Sequence, residues 1–397
     1  MTKKIKIFSF FSGSGFLDLG FENSGFNIAF VNEFFAPFLR AYRYSREVLK
    51  LPEPEYGYYE ENIVNFTAEK KTYLQDLIAN ARQSYDLIGF IGGPPCPDFS
   101  VGGKNRGKAG EKGKLSGAYI ELICQQQPDF FVFENVKGLW RTKKHRRFYE
   151  EMKAKLYEGG YLMTEKLINA IAYKVPQDRE RIILIGFRTD LLTDKGLETG
   201  FFGISETRFF EKTGFLDRYS STIPEGIFPW GKHTYYREKE VFSYPWPTTN
   251  PFQENSEINC PNNIPEELTV EYWFRKNMVD NHPNARHYFQ PRAGKIKMET
   301  VAEGDDSKKS YKRLHRWRYS PTACYGNNEV HLHPYKIRRL SAAEALAIQS
   351  LPREFALPEN MTLSNMFKTI GNGVPYFAAK GIAESILDFW LEIMGDR

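Results

Sequence analysis

The sequence predicts an α/β protein, a doubly wound, Rossmann-like sheet with a smaller inserted domain. Three observations carry that prediction. The β-rich run Ile5-Lys6-Ile7-Phe8-Ser9-Phe10-Phe11 passes at once into the turn Ser12-Gly13-Ser14-Gly15 and a helix-like segment, the strand, glycine turn and helix by which open sheets receive ligands at a helix start. Further apolar runs at 28–31, 87–91, 130–133 and 182–187 alternate with helix-like stretches, as in a sheet covered on both faces. Residues 189–337 then break the alternation with aromatics, prolines and turn formers, and a helical pattern returns toward the end of the chain.

The chain has 397 residues, 41% hydrophobic and 26% charged, an ordinary globular composition with room for one large domain and a smaller one. Its four cysteines, Cys96, Cys124, Cys260 and Cys324, are far apart, so neither a disulfide framework nor a cysteine zinc cluster is indicated. With no signal-peptide pattern, the cytoplasm is the expected compartment. No apolar run approaches the roughly 18 residues of a membrane span. The formal net charge of +5 is too small to name a partner, and its distribution matters more than its sum.

Taken in order, the first turn lets a ligand approach the backbone at Gly13 and Gly15. A dinucleotide fingerprint would want a third glycine where Asp18 stands, so nicotinamide and flavin cofactors are disfavoured. The second apolar strand ends on Glu33, a carboxylate placed to accept hydrogen bonds from two ribose hydroxyls. A helical segment follows over 36–49, Asn62-Ile63 is expected to end a third strand, and 73–82 reads as helix.

A fourth strand, Leu87 to Ile91, delivers Gly92-Gly93-Pro94-Pro95-Cys96-Pro97-Asp98-Phe99-Ser100. Glycines permit the turn and prolines stiffen it around the thiol. Taken alone, such a loop reads as a structural turn with an inert cysteine. The glycine- and lysine-rich stretch 101–117 follows, with Lys104, Arg106, Lys108, Lys112 and Lys114, suited to closing over a polyanion. Asp129 to Val136 is a fifth strand with polar residues toward its end, and it places Glu134 beside Cys96. Gln177-Asp178-Arg179-Glu180-Arg181 leads into a further strand and, if extended, turns Gln177, Arg179 and Arg181 to one face. In the interval 189–337, the run Lys308 to Arg318 mixes charge with aromatics as a DNA-backbone surface would. His331-Leu332-His333 lacks the companions of a metal set. Ser341 and Glu344 form a capping box, and Pro375 opens a terminal amphipathic helix.

These blocks resemble the cytosine-5 DNA methyltransferase family, of the bacterial restriction-modification type, over residues 5–188 and 338–386: FSGSG at 11–15, Glu33, GGPPCPDFS, ENV at 134–136, QDRER at 177–181, Arg338 to Glu344 with Gln349 to Pro352, and Gly371-Asn372-Gly373-Val374-Pro375. The resemblance implies a sheet that binds S-adenosylmethionine, Cys96 as the nucleophile, and Glu134, Arg179 and Arg181 around a flipped-out cytosine in double-stranded DNA. It implies cofactor contacts from Phe11, Gly13, Gly15, Phe16, Glu33, Asn62, Ile63, Pro95, Asn372 and Val374, and substrate contacts from Gln177, Ser100, Lys104 and Arg106, with no metal. By the same likeness, residues 1–188 form the catalytic and cofactor domain, 189–337 the target-recognition domain, and 338–397 a hinge and a helix returning to the first domain. A monomer is expected, alongside a cognate restriction endonuclease acting separately. Asn62 departs from the family's usual Asp, and Pro97-Asp98 from its usual residues after the cysteine. A transfer-RNA cytosine-5 methyltransferase and a non-catalytic DNA-binding regulator are the alternatives, and the intact Cys96 and Glu134 count against the second.

Overall fold

The computed structural model describes residues 4–95, 111–192, 223, 226–290, 295–308, 310–323, 325 and 330–394. Its strands are β1 (Ile5–Phe10), β2 (Asn27–Asn32), β3 (Tyr58–Tyr59), β4 (Leu87–Gly92), β5 (Phe130–Val136), β6 (Tyr161–Asn169) and β7 (Glu180–Arg188). They form one sheet in the order β3-β2-β1-β4-β5-β7-β6. From β1 to β5 all pairings are parallel, with crossovers that include α1 (Phe16–Glu22), α2 (Ala36–Val48), α3 (Ile63–Thr67), α4 (Lys71–Arg82) and α5 (Glu111–Gln126). The helices α6 (Lys137–Arg141) and α7 (Lys143–Glu158) lead from β5 to β6. Strand β7 is antiparallel to both neighbours. It reaches its place from β6 through the short stretch 170–179, which cannot supply the helical crossover that a parallel neighbour needs. The expected wound sheet is therefore present with one strand reversed.

The third strand differs from expectation. It is the two-residue Tyr58–Tyr59, and Asn62 lies beyond it as the N-cap of α3, its Oδ1 accepting from the Val64 amide at 3.1 Å. Capping is what a short amide side chain does at the start of a helix. Strand β6 alternates too weakly in sequence to be picked out; its Glu165 and Leu167 are half-buried, with Lys166 exposed between them.

The alternation of β1 explains its two cores. Ile5 and Ile7 point to a layer containing Ala378, Ala379, Ile382, Ile386, Phe389 and Trp390 of the terminal helix Tyr376–Met394. Phe8 and Phe10 point the other way, toward Phe30, Phe90, Phe131 and Phe133 and the helices α3, α4, α5 and α7. Side chains of successive strand residues face opposite sides. One sequence register thus fills both cores and leaves the strand ends free for chemistry.

A third cluster joins Val270, Trp273 and Phe274 of the helix Val270–Lys276 to the helices Ala342–Ile348 and Leu363–Asn372. The capping box forms as expected: Glu344 N–H donates to Ser341 Oγ at 3.2 Å and Ser341 N–H to Glu344 Oε2 at 2.8 Å. Burial disfavours the Glu344 charge, but His333 and Arg338 beside it hold its carboxyl well below the ordinary range. His333 is therefore occupied with a helix cap.

The fold divides the run Lys308 to Arg318, leaving Lys308 exposed and Lys312 and Arg318 half-buried. Arg313, His315, Arg316 and Trp317 are buried. Arg316 forms a forked pair with Glu303, Nε to Oε1 and Nη2 to Oε2 both at 2.8 Å. Arg313 donates to the carbonyls of Val301 at 2.9 Å and Lys336 at 3.2 Å, and to that of Met298. An interval with little regular structure leaves many backbone carbonyls to satisfy, and these guanidiniums satisfy them from inside. The charge of Arg313 and Arg316, which reads as a surface in sequence, is here internal scaffolding.

Candidate active site

A cleft of about 940 Å³ opens at the carboxyl ends of β1, β2, β4 and β5, where open α/β sheets place their ligands. Of the residues named from sequence, Phe11, Gly13, Phe16, Glu33, Asn62, Ile63, Pro95, Glu134, Arg181, Asn372 and Val374 line it. Gly15 lies just beneath, and Gln177 and Arg179 sit behind the wall. Cys96, Ser100, Lys104 and Arg106 fall outside the described residues, as does most of the basic stretch 101–117.

One half of the cleft is built on the glycine turn. Gly13 and Gly15 have φ of +57° and +87°, values that side chains oppose, and a Cβ on Gly15 would stand 2.8 Å from the Tyr42 ring. The Glu33 carboxylate braces the turn, accepting from Gly13 N–H at 2.9 Å and from Phe35 N–H at 2.8 Å. Burial raises its pKa, and these two amide donors oppose the rise. Each oxygen keeps acceptor capacity toward the cleft. Ser14 Oγ meets Thr369 Oγ1 at 2.7 Å, tying the turn to the helix Leu363–Asn372. At that helix's end a Cβ on Gly373 would come within 2.2 Å of the Phe16 ring, so backbone and ring close this wall together. Asp18, standing where a dinucleotide fingerprint has glycine, is buried under the turn and accepts from Ser9 Oγ at 2.9 Å and Tyr42 OH at 2.7 Å. Burial pushes its carboxyl up to about 6 against those bonds.

The other half holds an acid and a guanidinium. Glu134 is 7% exposed, and its Oε1 receives Arg181 Nε at 2.9 Å. Burial raises the Glu134 pKa, with the charges of Arg181 and Arg179 acting against it. The backbone of Gly93 crosses directly over the carboxyl, so closely that a Cβ there would lie 2.7 Å from Oε2. Asn135 holds the same loop, donating from Nδ2 to Pro94 O at 3.4 Å while its Oδ1 accepts from Val136 N–H at 2.9 Å. The chain is thus anchored at Gly93 and Pro94, three and two residues before Cys96.

The QDRER block alternates as expected, but one member alone reaches the cleft. Asp178 and Glu180 turn outward, to Asn169 and to Arg141 and Lys137. Arg179, expected beside the target base, is fully buried. Its Nη1 donates to Ala323 O at 3.2 Å and its Nη2 to Gly371 O at 2.8 Å and Gly373 O at 3.0 Å. Gln177, expected to touch substrate, is also fully buried and accepts from Ala323 N–H at 3.1 Å. The reason is the segment 320–323, which packs alongside 176–179 and takes up these donors and acceptors.

The sequence reading passed over Phe34, Phe35, Phe38, Lys368 and Thr369, which also line the cleft. Phe34 is 67% exposed, and Lys368 Nζ lies 5.0 Å from the centre of the Phe35 ring. The one signal for Phe34 was its place directly after Glu33 at the strand end.

The chain is similar to known proteins along most of its length. The family model described as C-5 cytosine-specific DNA methylase matches residues 5–388. The chain is 56% identical over 388 residues, 98% of its own length and 84% of the relative's, to the Type II methyltransferase M.NmeDI of Neisseria meningitidis serogroup C. It is 28% identical over 392 residues, 97% of itself and 96% of the relative, to the Type II methyltransferase M.FnuDI of Fusobacterium nucleatum. Among solved structures, the fold is similar to the S. pombe Dnmt2 methyltransferase, with a TM-score of 0.56 at 11% identity over 98% of this chain and 99% of that one. It is also similar to a putative DNA modification methyltransferase encoded within a prophage of E. coli, with a TM-score of 0.55 at 19% identity over 98% and 99%.

Proposed function

Because the chain belongs to the C-5 cytosine-specific DNA methylases, we propose that it methylates carbon 5 of a cytosine flipped out of duplex DNA, at one recognition sequence, through a covalent adduct on Cys96. The supporting observation is the shared cleft, which sets the braced glycine turn and Glu33 opposite the Glu134–Arg181 pair beneath the Gly93 backbone. A further part of the proposal is protection of host DNA from a cognate endonuclease acting separately.

The residues of the first half fit S-adenosylmethionine. Glu33 has acceptor capacity for two ribose hydroxyls. The exposed ring of Phe34 offers an apolar face to adenine. Asn62 spends its oxygen on the α3 cap, so any hydrogen bond it accepts from the adenine amino group is shared with that cap. Asn372 and Val374 close the opposite wall. Bound there, the cofactor would supply an electrophilic methyl group. Replacing Glu33 by alanine is expected to weaken S-adenosylmethionine binding by about 1 to 3 kcal/mol, the scale of hydrogen bonds to a charged group. Calorimetry showing unchanged affinity would remove Glu33 from the cofactor site.

The second half fits the chemistry of the base. Carbon 5 of cytosine is too weak a nucleophile, so the Cys96 thiolate adds to carbon 6, forming a C–S bond and moving the ring's electron pair toward nitrogen 3. Glu134, its pKa raised by burial, carries the proton that nitrogen 3 takes up. Arg181 stands at the exocyclic oxygen and stabilises the developing negative charge. Carbon 5, now part of an enamine, would accept the methyl group; a base then removes the carbon-5 proton, the C–S bond breaks to release the Cys96 thiolate, and nitrogen 3 returns its proton to Glu134. A stacked duplex hides carbon 6, so the base must leave the helix first.

The test is methyl transfer from tritiated cofactor to duplex DNA and to transfer RNA side by side, followed by bisulfite sequencing. Label on duplex DNA, converging on one sequence, is expected; label on transfer RNA alone would overturn the reading. We further propose that residues 189–337 choose the sequence. Grafting that interval from a relative of another specificity is expected to move methylation to the relative's site, because base-edge contacts discriminate by about 1 to 3 kcal/mol each while phosphate contacts add affinity regardless of sequence. Bisulfite reads that stay at the original site would place recognition elsewhere.

A further inference from the structure

We propose that Arg179 is a positioning residue that couples the Gly371–Gly373 wall of the cofactor cleft to the sequence-reading interval. The proposal rests on the reading of the cleft as a cofactor site, and it gives Arg179 a different role from the contact with the target base that its sequence block suggested.

Arg179 joins parts of the chain that are far apart. Its fork holds Ala323 O, 144 residues away, together with Gly371 O and Gly373 O, 192 and 194 residues away. Gly371 and Gly373 belong to the wall that carries Asn372 and Val374 into the cleft. Ala323 closes a segment of the inserted interval that is stitched to the stretch 176–179 leading into β7. Ser320 N–H donates to Pro176 O at 2.8 Å, Asp178 N–H to Ser320 O at 2.9 Å, and Thr322 Oγ1 to Asp178 O at 2.6 Å. Two residues further along that strand, Arg181 holds Glu134.

The packing leaves little slack between these parts. A Cβ on Gly371 would lie 3.0 Å from the Tyr325 amide nitrogen, so this wall cannot drift toward the interval. A planar guanidinium presents its donors in a fixed fork, which an ammonium cannot reproduce. A shift of Gly371–Gly373 when the cleft fills is therefore passed to Ala323, and a shift of 320–323 when the interval meets DNA is passed back. Linkage makes this reciprocal: if DNA raises cofactor affinity by some factor, the cofactor raises DNA affinity by the same factor.

The experiment measures the dissociation constant of S-adenosylhomocysteine by calorimetry, without and with saturating plasmid DNA that the wild-type protein methylates. The wild type is expected to bind about fivefold or more tightly with DNA, the lower end of ordinary coupling. In Arg179→Lys that ratio is expected to fall below about twofold. Thr322→Val removes one half-exposed hydroxyl from the stitching and is expected to give an intermediate ratio in a folded protein, which decides the matter if Arg179→Lys fails to fold. A protein whose only defect is lower stability would keep the wild-type ratio. Wild-type ratios in the folded variants, or a wild type that binds equally with and without DNA, would overturn the proposal. A wild type that does not bind S-adenosylhomocysteine at all would instead refute the cofactor reading beneath it.

Discussion

Replacing Cys96 by serine is expected to lower methyl transfer about a thousandfold or more, while binding of S-adenosylhomocysteine and of DNA stays within about twofold. A hydroxyl is close to a thiol in size but far less ionised at neutral pH, and it is the ionised form that attacks carbon 6. The loop before residue 96 is held by groups the substitution leaves alone: Gly93 over Glu134 and the Asn135 amide on Pro94 O. The serine variant should therefore keep the architecture of the cleft and lose the chemistry. Tritium transfer to duplex DNA measures the loss, and calorimetry with S-adenosylhomocysteine measures what is kept. Turnover near wild type would sink the assignment of Cys96 as nucleophile.

Glu134→Gln is expected to lower turnover by about 10² to 10⁴, the usual weight of a positioned acid. Glutamine keeps the shape and an oxygen for Arg181 Nε, but it cannot deliver a proton. The pH profile supplies a second reading. Burial raises the Glu134 pKa above the ordinary carboxyl value of 4.5, so the protonated, competent form persists to higher pH than an exposed acid would allow. As pH rises through that raised value the competent fraction falls, giving the wild type a falling limb that the glutamine variant lacks. The stability linkage has the same sign: a carboxyl with a raised folded-state pKa contributes stability fully below its unfolded value and loses it as pH rises through the folded one. The unfolding midpoint of Glu134→Gln should thus vary less over that window than the wild type's. Identical pH–rate limbs in the two proteins would show that Glu134 does not carry the proton.

Much of the site was legible because its signals are short. Gly13, Gly15 and Glu33 declared themselves by a turn that wants positive φ and a carboxylate at a strand end, and the structure brings Gly13 and Glu33 into contact at 2.9 Å. Glu134 was readable as the last charged residue of an apolar strand beside the strand that leads to Cys96. Asn62 misled because a strand end and a helix cap use the same small polar residues. Phe34 was passed over because an aromatic residue after a strand suggests core, whereas this one stands in solvent at the rim of the cleft.

What the sequence by itself determined is the set of local conformations: alternating apolar residues that fill two cores from one strand, glycine turns at strand ends, a helix cap at Ser341, and the order in which these occur. They follow from steric and hydrogen-bonding preferences acting over a few residues, which local sequence carries in full. Tertiary structure alone decided the reversed β7, the burial of Arg313 and Arg316 as internal braces, and the placing of the Arg179 guanidinium on the carbonyls of Ala323, Gly371 and Gly373. A guanidinium has the same charge on a surface, on a substrate or inside a wall. Its role depends on which carbonyls arrive from 144 or 194 residues away, and that is settled only when the chain has packed and every buried polar group must find a partner.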